Sequence, residues 1–327
     1  MNLLAIGNAL VDVLAHADDA FIAANGLDKG SMRLVDEAEA DRLYGVMGPG
    51  VESSGGSAAN TAVGVVSLGG SAQFVGRVRD DTLGQVFTHD IRAAGVVFEC
   101  APAPTGPPTG RCLVLVSPDA ERTMSTFLGA ASHLVPADVD PAAVAAAEIT
   151  YLEGYLWDPS EAKEAFRKAM AAAHDAAGRV AFSLSDAFCV DRFRPEFVDL
   201  IDSGHVDILF ANQAELCSLF EVDDLEVALK QLGQRVPIAA ITVGAAGSVV
   251  VSADGVERVA ARVLGGVVDT TGAGDLFAAG FLYGLTHGHD LTRCADLGSL
   301  AAAEIISHVG SRPEQSLRDL AVEAGLL

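Results

Sequence analysis

Positive charge is scarce in this chain: 21 lysines and arginines stand against 44 aspartates and glutamates, a formal net charge of −23 over 327 residues. That imbalance argues against a nucleic-acid partner and against an anionic membrane surface, because both are polyanions. An anionic ligand would need local devices such as a helix end, a metal ion or a single arginine. Cysteine is sparse and unpatterned; Cys100, Cys112, Cys189, Cys217 and Cys294 show no C-x-x-C spacing. This disfavours a zinc frame or disulfide scaffold and points to reduced thiols in a cytoplasmic protein. The eight histidines have no metal-ligand spacing either. Aromatics are few and alanine and glycine plentiful, which suits helices packed closely on a sheet. The long apolar stretch Val236–Val251 is broken by Gly244 and Gly247, and no basic stretch opens the chain. Neither a membrane span nor a signal peptide is expected. No G-x-x-x-x-G-K-[ST] run occurs, so this is not a P-loop enzyme.

What is present is alternation. Leu3–Ile6 reads as a buried strand, Asp36 with Glu39 as a capping-box-like start to a helix through Tyr44, and Ser57–Leu68 as a helix. Gln73–Val75 reads as a strand and Thr82–Ala94 as a helix; further strands fall near Ile149–Leu152, Val180–Leu184, Ile208–Phe210 and Ile238–Val243. Strands alternating with helices predict a doubly wound, mostly parallel α/β sheet with helices on both faces. Ligands in such folds bind at the carboxyl ends of the strands. Two segments, 11–34 and 96–127, are more extended, with Arg111–Val116 and Thr123–Phe127 as a hairpin around Pro118-Asp119 and an irregular, proline-rich 101–108. They are expected to form a small β-sheet lid inserted in one domain spanning 1–327, although an ordinary edge hairpin would read the same way.

The densest local signal is Asp269-Thr270-Thr271-Gly272-Ala273-Gly274-Asp275. It is predicted to follow a short strand at Gly266–Val268 and to open an apolar helix over Leu276–Thr286. Glycines at a helix start expose backbone N–H groups at the positive end of the helix dipole, an anion site. An acid in the same turn repels an anion, so Asp275 makes sense as a general base acting on a hydroxyl that attacks a phosphate. A well-capped helix start would use the same residue types. Gly272-x-Gly274 also resembles the start of a dinucleotide fingerprint, but Phe277 stands where the third glycine belongs, which disfavours a nicotinamide enzyme.

Four motifs in order carry a resemblance that runs essentially end to end: Gly55-Gly56-Ser57-Ala58-Ala59-Asn60, Gly76 through Gly84, Asn212-Gln213-Ala214-Glu215, and Asp269 through Asp275. With them the chain resembles the PfkB (ribokinase-like) carbohydrate and nucleoside kinases. The resemblance implies a ribokinase-like fold and an ATP- and Mg2+-dependent kinase. Asp275 would be the base, the backbone of Gly272, Ala273 and Gly274 would hold the transferring phosphoryl group, and Arg122 would hold phosphate at the lid hinge. The acceptor would lie on Asn8, Asp12, Gly55, Gly56 and Asn60, and ATP on Asn212, Thr242, Gly244 and Gly247. Glu215 would help organise Mg2+ through water. Asp269 and Thr271, with the loop His308–Arg312, correspond to where some relatives bind a monovalent cation such as K+.

Gly7-Asn8-Ala9-Leu10-Val11-Asp12, Thr109–Cys112 and Arg122-Thr123 followed by Leu128–Ala131 lean toward the adenosine kinase branch. The expected acceptor is therefore a primary hydroxyl of a ribose-containing nucleoside, with Leu10, Phe127 and Leu128 as candidate walls for its base. A free sugar such as ribose or fructose is the alternative, and an inactive nucleoside- or sugar-binding sensor the third reading. The resemblance leaves both a monomer and a lid-mediated homodimer open.

Overall fold

The computed structural model describes residues 1–119 and 121–327. Its strands, in chain order, are β1 (Leu3–Ile6), β2 (Leu10–His16), β3 (Met32–Leu34), β4 (Gly50–Gly55), β5 (Ala72–Val75), β6 (Gly110–Val116), β7 (Arg122–Phe127), β8 (Ile149–Glu153), β9 (Arg179–Ser183), β10 (Ile208–Asn212), β11 (Ile238–Thr242), β12 (Ser248–Ser252) and β13 (Gly255–Val259). Among the described residues they form two sheets: one of eight strands in the order β13-β12-β11-β10-β9-β8-β1-β5, and one of five in the order β3-β7-β6-β2-β4.

The large sheet is parallel from β5 to β11, with β12 and β13 added antiparallel at one edge. Its central strands are apolar on both faces, as a sheet covered on both sides requires. Leu3 and Ala5 enter one core, with the helices Ser57–Ser67, Ala273–Thr286 and Leu291–Ile305; Leu4 and Ile6 enter the other, with Ser160–Asp175 and Ala187–Asp202. The scarcity of aromatics has a geometric counterpart in the first core. A Cβ on Gly280 would lie 2.4 Å from the Leu297 carbonyl oxygen, so only glycine lets these two helices approach so closely.

The second sheet combines antiparallel and parallel pairs. One face, carrying Val11, Val13, Leu113 and Leu115, joins the main core with Phe87, Ile91 and Leu43. The other carries Leu10, Asp12, Leu14, Cys112, Val114 and Arg122 and turns toward the carboxyl ends of the large sheet.

Three local expectations need correction. The second sheet also takes Gly50–Gly55, whose serine- and glycine-rich sequence hid a strand, while Val97 and Ala103 bridge to Gln73 and Arg79 beside the large sheet. Gly266–Val268 is not a strand: Val267 is 67% exposed, and Val268 donates its N–H to the Ile306 carbonyl instead of joining a ladder. Asp36 does cap its helix through the Glu39 N–H, but the Glu39 carboxylate turns to Arg33 and Arg42 instead of closing a capping box. The Pro118-Asp119 turn is flanked by Ala120, which lies outside the described residues.

Candidate functional site

The order of the large sheet reverses between β1 and β8: from β1 the chain winds outward to β5, and from β8 it winds the other way to β11. Crossovers that diverge leave a crevice beyond the carboxyl ends of the two strands. Gly7-Asn8 and Glu153 sit there, immediately past the Ile6–Leu152 pairing. Glu153 is fully buried; its Oε1 accepts from the Asn8 backbone N–H and from Asn8 Nδ2, both at 2.7 Å, and its Oε2 accepts from the Ala58 N–H at 2.7 Å. Burial pushes its pKa up to about 7 against these hydrogen bonds. Sequence reasoning missed Glu153. The available signal was an acid closing the mostly apolar run Ile149–Leu152 at a strand end.

The Gly55-Gly56 pair links β4 to the helix Ser57–Ser67. A Cβ on Gly55 would lie 2.4 Å from the Asp12 carboxyl, and one on Gly56 would lie 2.1 Å from the Asn8 carbonyl oxygen, at φ +99°. The glycines thus let Asn8 and Asp12 lie against the start of the helix. From that helix Ser57 Oγ donates to Asp275 Oδ1 at 2.6 Å and Asn60 Nδ2 donates to Asp275 Oδ2 at 2.9 Å. Burial raises the Asp275 pKa, while the Ser57 and Asn60 hydrogen bonds and the charge of Arg312 oppose that rise. Two acceptors in this cluster, Asn8 Oδ1 and Asn60 Oδ1, are buried and meet no donor among the described residues.

Asp12 faces the same crevice and accepts from Ser311 Oγ at 3.1 Å. Burial lifts its pKa to about 6, although Ser311, Arg312 and Arg122 all favour its charged form. Arg312 donates to the Ser54 carbonyl at 2.9 Å, to Ser54 Oγ at 2.9 Å and to the Ala59 carbonyl at 3.0 Å. It therefore clamps the chain on both sides of the glycine pair, a contact that the variable look of the His308–Arg312 loop concealed.

At the next helix start, Gly272 adopts φ +78° and caps Ala273–Thr286. The Ala273 N–H is turned to the Thr270 carbonyl at 3.2 Å, so it is not an open donor as expected. The N–H groups of Gly272 and Gly274 donate to no described residue. Asp269 accepts from the Thr271 N–H at 3.0 Å and the Gly310 N–H at 3.4 Å, and Arg122 of β7 places Nη2 2.5 Å from its Oδ2. That approach lies off the line of an N–H bond, so it is an ion pair rather than a directed hydrogen bond; Nε and Nη2 of Arg122 remain buried donors without a hydrogen-bond partner among the described residues.

Farther along the sheet, Asn212 and Thr242 are paired at the carboxyl ends of β10 and β11. Asn212 and Glu215 form a mutual helix cap: Glu215 accepts from the Asn212 N–H at 2.9 Å and from Asn212 Nδ2 at 2.5 Å, and returns its own N–H to Asn212 Oδ1 at 2.9 Å. Burial raises the Glu215 pKa to about 7, with Asp186 and Asp275 adding to the rise. Gly244 borders open space, whereas a Cβ on Gly247 would meet the Val259 carbonyl oxygen at 2.0 Å. The close approach of the backbone at residues 259–261 therefore demands glycine at 247 whether or not a ligand lies beside it. Phe127 is likewise displaced from its expected place: it pairs with Arg111, on the opposite face from Asp12 and Cys112. The period-two alternation of a strand puts Leu14, Val114 and Met124 on the crevice side instead.

The crystal structure of adenosine kinase from Sinorhizobium meliloti is 51% identical to this chain and superposes with a TM-score of 0.93, covering 99% of each chain. That of a probable sugar kinase protein from Rhizobium etli CFN 42 is 48% identical with a TM-score of 0.94, covering 100% of this chain and 99% of the other. Adenosine kinase of Saccharomyces cerevisiae is 29% identical over 336 residues, covering 96% of this chain and 98% of the relative. The pfkB family carbohydrate kinase profile matches residues 34–317. With a fold of this kind end to end and a match across most of its length, the chain belongs to the pfkB family of carbohydrate kinases.

Proposed function

We propose that this kinase phosphorylates a primary hydroxyl of a ribose-containing nucleoside, adenosine-like, with ATP and Mg2+. The observation that carries the reading is the pairing, in one crevice, of polyol-binding groups with an apolar wall. Asp12 and the unpartnered Asn8 Oδ1 and Asn60 Oδ1 offer acceptors for sugar hydroxyls. Leu10, Leu14, Val114 and Met124 share a sheet face with Asp12 and suit a flat, apolar base. The relatives named adenosine kinase support the same choice.

Asp275 acts as general base on the acceptor hydroxyl. Ser57 and Asn60 hold both of its oxygens, which fixes the direction from which it takes the proton. The open N–H groups of Gly272 and Gly274 face charge on the transferring group, and the Arg122 guanidinium, paired with Asp269 of the same loop, adds positive charge beside them. MgATP, when bound, supplies the phosphoryl group and neutralises charge on its oxygens. The residues fit it in part: Asn212, Thr242 and Gly244 border its open side of the sheet. Glu215 engages Asn212 with both carboxylate oxygens and so suits Mg2+ only through water. The second sheet, carrying Asp12 and Arg122, serves as the lid that excludes water.

The test is an ADP-release assay over adenosine, inosine, guanosine, cytidine, ribose and fructose. A nucleoside far above the sugars in kcat/KM upholds the proposal. A sugar ahead would overturn it in favour of a free-sugar kinase, the reading that the probable sugar kinase relative supports.

A further inference from the structure

The loop that the family resemblance links to a monovalent cation does not present this chain's Asp269 as a ligand for one. Its carboxylate accepts from the Thr271 N–H at 3.0 Å and the Gly310 N–H at 3.4 Å and is ion-paired with the Arg122 guanidinium at 2.5 Å. The pair is closed off from water, with the two side chains 7% and 5% exposed. A buried carboxylate needs a counter-charge close by, and a guanidinium meets that need as an ion would. A K+ ion at the same oxygen would face a fixed positive charge within contact distance.

We infer that Arg122 is the resident cation of the Asp269–Asp275 loop, so that this kinase works without a monovalent metal ion. The inference rests on reading that loop as the phosphoryl site. It goes further in one respect: the charge arrives on a strand of the second sheet, β7, and not from solvent. Asp269 lies three residues before Gly272, and Arg122 seated on it fixes the loop's approach to the open N–H groups. Opening the second sheet would withdraw the counter-charge, so closure and ordering of the phosphoryl site become one event.

The experiment compares kcat in KCl with kcat in choline chloride at equal ionic strength, for the wild type and for Arg122→Ala. The wild type is expected to stay within about twofold between the two salts. Arg122→Ala is expected to lose about a hundredfold in choline, the usual cost of removing a donor to transition-state charge, and to recover about tenfold in KCl as K+ enters beside Asp269. The melting temperature gives a readout that needs no turnover and no knowledge of the acceptor: KCl over choline should raise it for Arg122→Ala and leave the wild type unmoved. If Arg122→Ala does not fold, Arg122→Gln, which keeps the length and removes the charge, takes its place. A wild type that needs K+, or a variant that K+ neither speeds nor stabilises, would overturn the inference. A variant that K+ stabilises without restoring turnover would keep Arg122 as the resident cation and instead count against the loop's role in transfer.

Discussion

The two halves of the crevice are built differently. On the acceptor side short hydrogen bonds tie Glu153 to Asn8 and Ala58, Asp275 to Ser57 and Asn60, Asp12 to Ser311 and Arg312 to Ser54 and Ala59, and glycines 55 and 56 lie against Asp12 and Asn8. On the nucleotide side Gly244 borders open space, Val263 and Val267 are 78% and 67% exposed, and the stretch 261–271 has no strand or helix. On the proposed reading the acceptor is met by a prebuilt lattice and the nucleotide by an open shelf. Recognition is expected to be strict on the first side and tolerant on the second, because a preorganised polar site loses far more when one of its members is unpaired.

The largest break in that contrast comes at its catalytic end. Asp275→Asn keeps the size of the side chain and removes the base, so kcat should fall by about 10³-fold, while ATP affinity measured by calorimetry stays nearly unchanged. Wild-type-like turnover in that variant would remove Asp275 from its role. Asp12→Ala comes next. Loss of a charged acceptor for sugar hydroxyls should raise the acceptor KM about a hundredfold, equivalent to ~3 kcal/mol, and leave the ATP KM within about twofold. An equal rise in both constants would erase the distinction between the two sides.

How much of this was legible in the sequence follows the same divide. Asp275, Asn60, Asp12 and the glycine pair were readable because each sits in a short motif whose residue types have few other uses, and the structure brings them together. The doubly wound sheet was readable because its strands are apolar on both faces. Glu153 was not, since its partners Asn8 and Ala58 lie 145 and 95 residues away and no local pattern announces them. Phe127 was misplaced because a strand's register, which decides its face, is set by pairing with β6 and not by its neighbours in sequence. Gly247 looked like ligand room because a glycine needed by its own fold and one needed by a ligand are the same letter.

Glu153 yields a smaller effect with a distinctive pH signature. Glu153→Gln leaves the Ala58 N–H facing an amide NH2, which should lower kcat about tenfold without a matching rise in the ATP KM. In the wild type the folded-state pKa of Glu153, about 7, lies above the ordinary 4.5, and that of Asp12, about 6, above 3.8. Between the ordinary and folded values the folded chain holds protons that the unfolded chain has released, so stability falls as pH rises through that window. Activity runs the other way, because Asp12 and Asp275 must be ionised. Acidifying from pH 8 to about 5.5 should therefore raise the melting temperature while kcat/KM declines, and Glu153→Gln should flatten the part of the melting trend that lies below about pH 7, between the folded and ordinary pKa values of Glu153. Stability and activity that fell together on acidification would contradict the assigned shifts.

The finest test lies within a single turn of the nucleotide side. Gly244 and Gly247 both have positive φ, +53° and +101°, but only Gly247 has backbone where a Cβ would go. Gly247→Ala must move the Val259 carbonyl and should destabilise the fold by about 2–3 kcal/mol in urea titration, with ATP affinity falling only as the fold does. Gly244→Ala meets nothing; it bears only the left-handed backbone strain of about 1 kcal/mol. Any rise in its ATP KM then reports a nucleotide that approaches the shelf closely at 244. A shift of more than about tenfold there would mean that the shelf is as tightly fitted as the acceptor side. An ATP KM that stays flat agrees with an open shelf, on which the nucleotide is held mainly by its phosphates at the Gly272–Gly274 helix end.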